Sequence, residues 1–307
     1  MFHIKTGKKN SDFIEIYNKN IGLKAAININ EGARLKTLIL NNIPLITQDE
    51  NSNYKESFAS AILFPFANRI KNGRYKFKNK SHQLNCNESN RNNAIHGLVY
   101  DKTFELKKIK IKNNKIYISL IYKEKKTTKG FPYAYNLRVT YIFSKKSTNL
   151  IIDIKNKSLE SFPFTLGWHP YFNSSNLHDS SLAFKSSKKI IFDENLITKE
   201  IVKKDILVPV QIKNTQFDDC FITKDNKVTF KTPNYTLTLR SNPSHKYFQI
   251  YNPKNSNKIA LEFMSGVSNS FNNKIGLQEL NPNETYSTSH VLNITNNHKK
   301  SHLKCNY

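Results

Sequence analysis

Runs in which apolar and polar residues alternate recur along the chain. In LRVTYIFS, residues 137–144, Leu, Val, Tyr and Phe alternate with Arg, Thr, Ile and Ser. The runs KIYISLIYKEKK (residues 115–126) and VTFKTPNYTLTLRS (residues 228–241) show the same period, the latter around a Thr-Pro-Asn turn. A period of two places one set of side chains on each face of a strand, and tight turns join such strands antiparallel. Because helical periodicity is nearly absent, the pattern predicts an all-β fold, a large antiparallel β-sandwich.

No composition shift divides the sequence. The 307 residues contain no Gly/Ser-rich or Pro-rich linker and no repeat of fixed period. All-β domains of roughly 250 residues are common. We therefore expect one domain over residues 1–307, with a polar, basic tail at residues 293–307 that frays.

The chain is strongly basic, with 48 Lys and Arg against 23 Asp and Glu and a formal net charge of +25. Such an excess is found in nucleic-acid binders. Here the lysines are spread over the whole chain among asparagines and isoleucines, which is the pattern that A/T-rich codons produce. No basic helix, zinc-finger spacing or RNA-binding motif accompanies the charge, so we expect no nucleic-acid partner.

Cysteines and terminal segments indicate the compartment. The cysteines Cys86, Cys220 and Cys305 form no CxxC pair, so neither a disulfide framework nor a zinc site is indicated. The amino-terminal residues lack the apolar core of a signal peptide, and no run approaches the ~18 apolar residues of a membrane span. These features predict a reduced, soluble, cytoplasmic protein with no membrane partner.

Two histidines lie in unusual surroundings. His169 lies in LGWHPYFN, beside the only tryptophan of the chain, and His96 lies in NAIHGLVY, beside a glycine that permits close backbone approach. A histidine in isolation is more often a satisfied or solvated side chain. Histidines flanked by aromatic residues, however, suit flat-faced ligands such as sugars.

Three further charged residues are candidates for a site. Glu262 lies in the apolar run IALEFMSG, where a carboxylate is costly to bury without a partner. Arg69, in PFANRIKNGRY, can fork onto hydroxyl or carboxylate oxygens or form a surface ion pair. Asp218 lies between aromatic residues in QFDDCFI, where a turn is the simplest reading.

A histidine and a glutamate that face one ligand form a general acid and base pair. Histidine donates a proton near neutral pH, and a suitably tuned glutamate accepts one. The sequence has no Gly-rich phosphate loop, no GxSxG and no HExxH, so common cofactor and hydrolase signatures are missing.

Taken together, these segments resemble the aldose 1-epimerase (galactose mutarotase) family. The resemblance covers roughly residues 30 to 290. It is carried by motifs in the family's order: EGARLKTLILNNIPLI, FANRIKNGRYKF, NAIHG, GWHPYFN, FDDCF, ALEFMSGVSNSFNN and LNPNETYS.

The resemblance implies an antiparallel β-sandwich with an open cleft in which the α and β anomers of an aldose interconvert without cofactor or metal. Glu262 looks like the base that takes the proton from the anomeric hydroxyl, and His169 like the acid that protonates the ring oxygen. Among the binding residues, His96 and Arg69 look like hydrogen-bond partners near the ring oxygen, and Asp218 like a binder of sugar hydroxyls.

The resemblance also yields expectations about the geometry. Pro170 and Tyr171 would fix the loop of His169, and Trp168 would pack beside the sugar. The pair His169 and Glu262 would approach a bound pyranose from opposite sides. The substrate would be a small-molecule aldose, namely a hexose, and the protein a monomer or homodimer.

Two departures from the best-known galactose mutarotases leave the substrate open. Trp168 stands where those proteins often carry Asn, and the segment after Glu262 lacks the usual Pro-Asp-Ala. One alternative is a hexose-6-phosphate 1-epimerase, whose anionic substrate suits a basic chain. Another is a non-catalytic carbohydrate-binding β-sandwich, which need not keep both His169 and Glu262.

Overall fold

The computed structural model describes residues 1–6, 12–48, 53–126 and 128–297. Strands dominate these residues, and the paired strands run antiparallel. In residues 137–143 the predicted apolar set is buried and its alternating partners are more accessible. The prediction of an all-β antiparallel sandwich is confirmed.

The first half of the chain forms a small sheet, several short strands and then long hairpins. The strands are β1 His3–Thr6, β2 Phe13–Asn18, β3 Leu23–Asn28, β4 Arg34–Leu40, β5 Ile43–Ile46, β6 Ile62–Leu63, β7 Arg69–Ile70, β8 Arg74–Phe77, β9 Lys80–Gln83, β10 Ala94–Ile95, β11 Glu105–Lys112, β12 Lys115–Lys125, β13 Ala134–Phe143 and β14 Ser147–Asn156. The helices of the described chain are single turns: α1 Tyr54–Ser57, α2 Ser270–Asn273, and 3-10 turns at Lys19–Ile21 and Lys71–Gly73.

The second half supplies most of the large sheet. Its strands are β15 Phe162–Phe164, β16 Gly167–Trp168, β17 Tyr171–Asn173, β18 Ser181–Phe192, β19 Thr198–Lys203, β20 Val210–Gln211, β21 Asp218–Lys231, β22 Tyr235–Ser241, β23 Tyr247–Tyr251, β24 Lys258–Met264, β25 Gln278–Leu280 and β26 Thr285–Asn296. The sheet runs in the order β11-β12-β13-β14-β26-β22-β21-β23-β24-β16-β6, while β17 pairs with β24, and β18 with β19, β20 and β21. β1 to β5 form a separate sheet.

Asparagines make many of the tight turns. Asn113 and Asn114 join β11 to β12 and both have positive φ, 51° and 56°, as a two-residue hairpin turn of the I′ type requires. Most of the non-glycine residues with positive φ in the described chain are asparagines. Asparagine tolerates this conformation better than other side chains because its short amide bonds to nearby backbone.

One hydrophobic cluster joins the two sheets. It contains Ile16 from β2, Phe64 from the loop after β6, and Leu237 and Ile294 from the large sheet, all nearly inaccessible to solvent. The expected frayed tail does not begin at Asn293, because residues 293–296 still pair with β22 through backbone hydrogen bonds. Residues 298–307 of that tail lie outside the described residues, and the single-domain assignment stays a prediction.

No helix among the described residues has both the length and the apolar character needed to cross a lipid bilayer.

Candidate active site

One face of the large sheet forms the floor of a cleft. On β21, β23 and β24, Asp218 pairs with Tyr251 and Gln249 pairs with Glu262. Tyr171 on β17 pairs with Ala260, two residues before Glu262. Directly paired residues share a face, and so do residues two apart on one strand. The strand registers therefore bring these polar and aromatic side chains together although they are distant in sequence.

His169 lies in the short connection between β16 and β17, and its backbone is fixed on both sides. Its N–H donates to the Ala61 carbonyl at 3.1 Å, and its carbonyl accepts from the Ser60 N–H at 2.8 Å. Trp168 faces away from the cleft, is 1% exposed, and has its ring 5.7 Å from that of His290. The expectation that Trp168 packs beside a sugar is wrong, because neighbouring residues of an extended segment point to opposite sides.

His96 occupies a strained turn held against the preceding strands. Its φ is 60°, and its backbone N–H donates to the Asn68 carbonyl at 3.0 Å. The following Gly97 has φ 81°, and a Cβ there would lie 2.3 Å from the Phe64 carbonyl oxygen. The predicted close approach of the backbone is thus present, and only glycine fits it. The ring of Phe58 packs on the imidazole at 4.9 Å between centroids.

The five predicted site residues line the same cleft. It has a volume of about 1230 Å³, and its walls include Arg69, His96, His169, Asp218 and Glu262. The Nε2 atom of His169 lies 3.4 Å from Oε1 of Glu262, and the His96 and His169 rings are 5.0 Å apart and nearly perpendicular. The expectation that acid and base flank a sugar from opposite sides is wrong, since no sugar ring fits between atoms this close.

Burial favours the neutral forms of the central pair. It lowers the pKa of His169 to about 4 and raises the pKa of Glu262 well above its usual range. The charge of Asp218 raises the Glu262 pKa further, and that of Arg69 opposes the rise. Burial therefore disfavours the charged form of each group. A carboxyl group beside a neutral imidazole has the same number of protons as a carboxylate beside an imidazolium.

Polar atoms without partners line the floor. Gln249 donates from Nε2 to Oδ1 of Asp218 at 2.8 Å, while its Oε1 atom is buried and has no hydrogen-bond partner among the described residues. Oε2 of Glu262, Nδ1 of His169 and Nδ1 of His96 are also buried and lack a partner within the same part of the chain. Buried polar groups in native proteins nearly always have partners, so this concentration marks a place where a polar ligand or water binds.

Asp218 and His96 are also shifted by their surroundings. Burial raises the pKa of Asp218, and Asp219 adds to the rise, while Arg69 opposes it. Burial lowers the pKa of His96 well below its usual value, reinforced by His169 and Arg69. A neutral His96 has one ring nitrogen that donates and one that accepts.

Arg69 forms a two-pronged ion pair rather than an exposed one. Its Nε and Nη2 atoms donate to the carboxylate of Glu88 at 2.8–3.1 Å, and its side chain is 14% exposed. The sequence predicted that the Arg69 guanidinium forms a two-pronged contact, but it did not identify Glu88 as the partner. Glu88 lies in the polar loop CNESNRNN, which resembles an ordinary surface turn.

Other residues of the cleft were also missed. Gln249 carried a usable signal, since it is a polar residue within the aromatic run YFQIY, as Glu262 is within its own strand. Tyr171 was expected to fix the His169 loop, and its ring does stack on that imidazole at 5.0 Å. It also lines the cleft, in the place that was expected for Trp168.

The arrangement places an imidazole and a carboxyl group in contact, surrounded by polar groups that can form hydrogen bonds with hydroxyls. Among the residues that the structure describes, no three His, Cys, Asp or Glu side chains are grouped as metal ligands.

Sequence comparison identifies relatives over most of the chain. The profile of the family described as aldose 1-epimerase matches residues 13–293. The uncharacterized protein YihR of Escherichia coli K12 is 24% identical over 259 residues, covering 80% of this chain and 82% of its own. The galactose mutarotase of Homo sapiens is 28% identical over 193 residues, covering 56% of this chain and 54% of its own.

Solved structures with the same fold cover nearly the whole chain. A galactose mutarotase-like protein from Clostridium acetobutylicum superposes with a TM-score of 0.85 at 20% identity, covering 96% of this chain and 98% of its own. The galactose 1-epimerase of Lactobacillus acidophilus superposes with a TM-score of 0.76 at 19% identity, covering 97% and 99%. At such identities the likeness shows the fold.

Proposed function

This chain belongs to the aldose 1-epimerase family, and from that premise we propose that it interconverts the α and β anomers of an aldose. The observation that carries the proposal is the contact of His169 and Glu262, 3.4 Å apart on the floor of one cleft. The two oxygens that exchange protons in a cyclic hemiacetal are bonded to the same carbon. An acid and a base that are themselves adjacent therefore reach both oxygens from one edge of the sugar ring.

Ring opening transfers one proton from the sugar to Glu262 and one proton from His169 to the sugar. The Glu262 carboxylate takes the proton from the anomeric hydroxyl, and the His169 imidazolium gives its proton to the ring oxygen. The bond between the anomeric carbon and the ring oxygen breaks while the carbonyl forms. The aldehyde then rotates about its bond to the next carbon, and closure runs both transfers backward. A carboxylate beside an imidazolium differs from a carboxyl group beside a neutral imidazole only in the position of one proton.

The remaining polar groups orient the sugar. Asp218 and Gln249 form one hydrogen-bonded unit whose free Oε1 accepts from a hydroxyl, and Arg69 and His96 donate near the ring oxygen. Tyr171 supplies a flat wall beside the acid. Because the site is buried, these groups act where water competes little for their hydrogen bonds.

Polarimetry tests the proposal directly. Purified protein added to freshly dissolved α-D-glucose or α-D-galactose should speed the approach to the equilibrium rotation above the spontaneous rate. A rate equal to that of the buffer with both sugars, and with other free aldoses, would remove the proposed activity.

A phosphorylated sugar is a second candidate substrate, favoured by the lysines of the cleft. Lys36, Lys55, Lys254 and Lys258 lie in its walls. If the substrate is neutral, raising the salt concentration should change turnover only weakly, because steering by exposed charge is what salt screens. Faster turnover of a hexose 6-phosphate than of the free hexose, with a decrease at higher salt, would favour the phosphorylated substrate.

A further inference from the structure

Glu88 is the centre of a network in the wall of the cleft. Its carboxylate accepts from Nε and Nη2 of Arg69, from Nη1 of Arg91 at 3.3 Å and from Nδ2 of Asn93 at 3.0 Å. Its side chain is 11% exposed, and the backbones of Glu88 and Asn93 form a bridge that closes the loop. The carboxylate is therefore fixed in position rather than lying on a mobile surface.

A count of the N–H donors of Arg69 shows which of them the network leaves available for a ligand. A guanidinium has five N–H donors. Nε and one hydrogen of Nη2 are directed at Glu88, and one hydrogen of Nη1 at Oδ1 of Asn68, 3.3 Å away. One N–H remains on each terminal nitrogen, and Arg69 lines the cleft beside His96. The fork onto Glu88 sets the plane in which these two donors lie.

We infer that Glu88 is a positioning residue of this site, which fixes the Arg69 guanidinium in the cleft wall and balances its charge. The inference rests on the proposed function. It gives a role to a loop carboxylate that does not itself exchange protons with the substrate.

Charge balance matters because Arg69 influences several groups of the floor. Its charge lowers the pKa of Glu262, of His96 and of Asp218. Burial alone would raise the pKa of Glu88, but the hydrogen bonds and charge of Arg69, with Asn93 and Arg91, hold it below its usual value. Glu88 is thus an anion at neutral pH and offsets the arginine charge.

The groups that face this region come from several elements. The titratable or charged side chains around Glu262, Arg69 and Asp218 are Glu88, Arg91, His96, His169, Tyr171, Asp219, Cys220 and Tyr251. Of these, Glu88 is the one whose carboxylate contacts the Arg69 guanidinium in the described chain. Removing its charge therefore adds net positive charge to the site at one point.

The test compares Glu88→Gln with Glu56→Gln. Both variants remove one carboxylate from the cleft wall, but Glu56 is exposed and, among the residues that the structure describes, accepts a side-chain hydrogen bond only from Asn53. In Glu88→Gln the amide can still accept from Asn93, but its NH2 group opposes the Arg69 donors. Glu88→Asp is the third variant, because it keeps the charge and changes the reach.

We expect Glu88→Gln to raise KM about tenfold with a smaller change in kcat. Added positive charge favours loss of protons. Both the acidic and the basic limb of the plot of kcat/KM against pH should therefore move to lower pH by roughly half a unit or more. Glu88→Asp should raise KM but leave the limbs in place, and Glu56→Gln should change neither. A profile that stays in place in Glu88→Gln would overturn the inference.

A readout without substrate keeps this test separate from that of the proposed function. In nitrogen-15 NMR spectra, the Nε–H signal of Arg69 should be shifted and slow to exchange in the wild type and in Glu56→Gln. It should be lost in Glu88→Gln. Wild-type protein that leaves mutarotation at the spontaneous rate would count against the proposed function alone, whereas an Arg69 signal unchanged in Glu88→Gln would count against the positioning role alone.

Discussion

The proposed role of Glu262 as a base can be tested by replacing its carboxylate with an amide. Glu262→Gln keeps the side-chain shape but removes the ability to accept a proton. We expect the fold to persist and kcat to fall by ~10² to 10⁴-fold, the usual contribution of a general base. Polarimetry on the variant, with circular dichroism as the check on folding, measures this. A rate near that of the wild type would exclude Glu262 as the base.

The two histidines should respond differently to the same substitution. His169→Asn should lower kcat sharply, because an amide is a poor acid at neutral pH. His96→Asn keeps a hydrogen-bond donor, so its effect should be milder and appear partly in KM. Steady-state kinetics on both variants separate the roles. If His96→Asn proves the more damaging to kcat, the acid is His96.

At the scale of elements, the turn after β10 places His96. Ala at position 97 would put its Cβ 2.3 Å from the Phe64 carbonyl oxygen at a φ of 81°. We expect Gly97→Ala to destabilise the fold by about 1–3 kcal/mol and to lower kcat, because the turn must shift and move the imidazole with it. Thermal unfolding and polarimetry measure the two effects.

Gly130 provides a matched control for this substitution. It also has φ 81°, and a Cβ there would lie 2.3 Å from the Gln83 carbonyl oxygen, but it does not line the cleft. Gly130→Ala should therefore lower stability by a similar amount while leaving kcat near the wild-type value. Equal losses of kcat in both variants would mean that Gly97 acts through general stability.

The predictability of the elements depended on their length. The long strands β13 and β22 were visible because seven or more residues show the period of two clearly, whereas only residues 228–231 of β21 were identified as a strand. Strands of two residues, such as β7 and β16, have no period to detect, yet they begin or adjoin the segments that hold Arg69 and His169. The five predicted site residues were identified by resemblance and by the contrast of each with its neighbours in sequence. Their distances came from strand register, which one sequence does not specify.

At the scale of the whole molecule, two buried histidines away from the cleft add to the acid response of His96 and His169, whose pKa values burial also lowers. Burial lowers the pKa of His245 to about 4, from 6.5 as the ordinary value, and lowers that of His290 well below the same value. The rings lie 5.3 Å apart in the core behind the cleft. In the unfolded chain both bind protons readily as the pH falls below 6.5. The stability contributed by these two neutral histidines is therefore fully present above pH 6.5 and is lost as the pH falls toward 4.

Urea unfolding at pH 7.5 and pH 5 measures this response. Each depressed unit of pKa corresponds to about 1.4 kcal/mol of unfolding free energy, so the loss over this range should be a few kcal/mol. The raised pKa of Glu262 works in the opposite direction, because the folded protein holds a proton that the unfolded chain releases above its ordinary value of 4.5. His245→Gln should reduce the loss between the two pH values, and an unchanged loss would assign it to other groups.

The asparagine turns described above are also sites at which the protein can deamidate over time. Asparagine side chains are among the thermolabile groups of proteins, and an asparagine followed by glycine deamidates most readily. The pair Asn72–Gly73 is of this kind, and Asn72 is exposed with its backbone N–H donated to the side chain of Asn93. Because Asn93 in turn holds Glu88, a spontaneous amide loss at position 72 would place new negative charge next to the network that supports the cleft. The rate of deamidation at Asn72 would then limit both how long the protein can be stored and how long the proposed activity lasts.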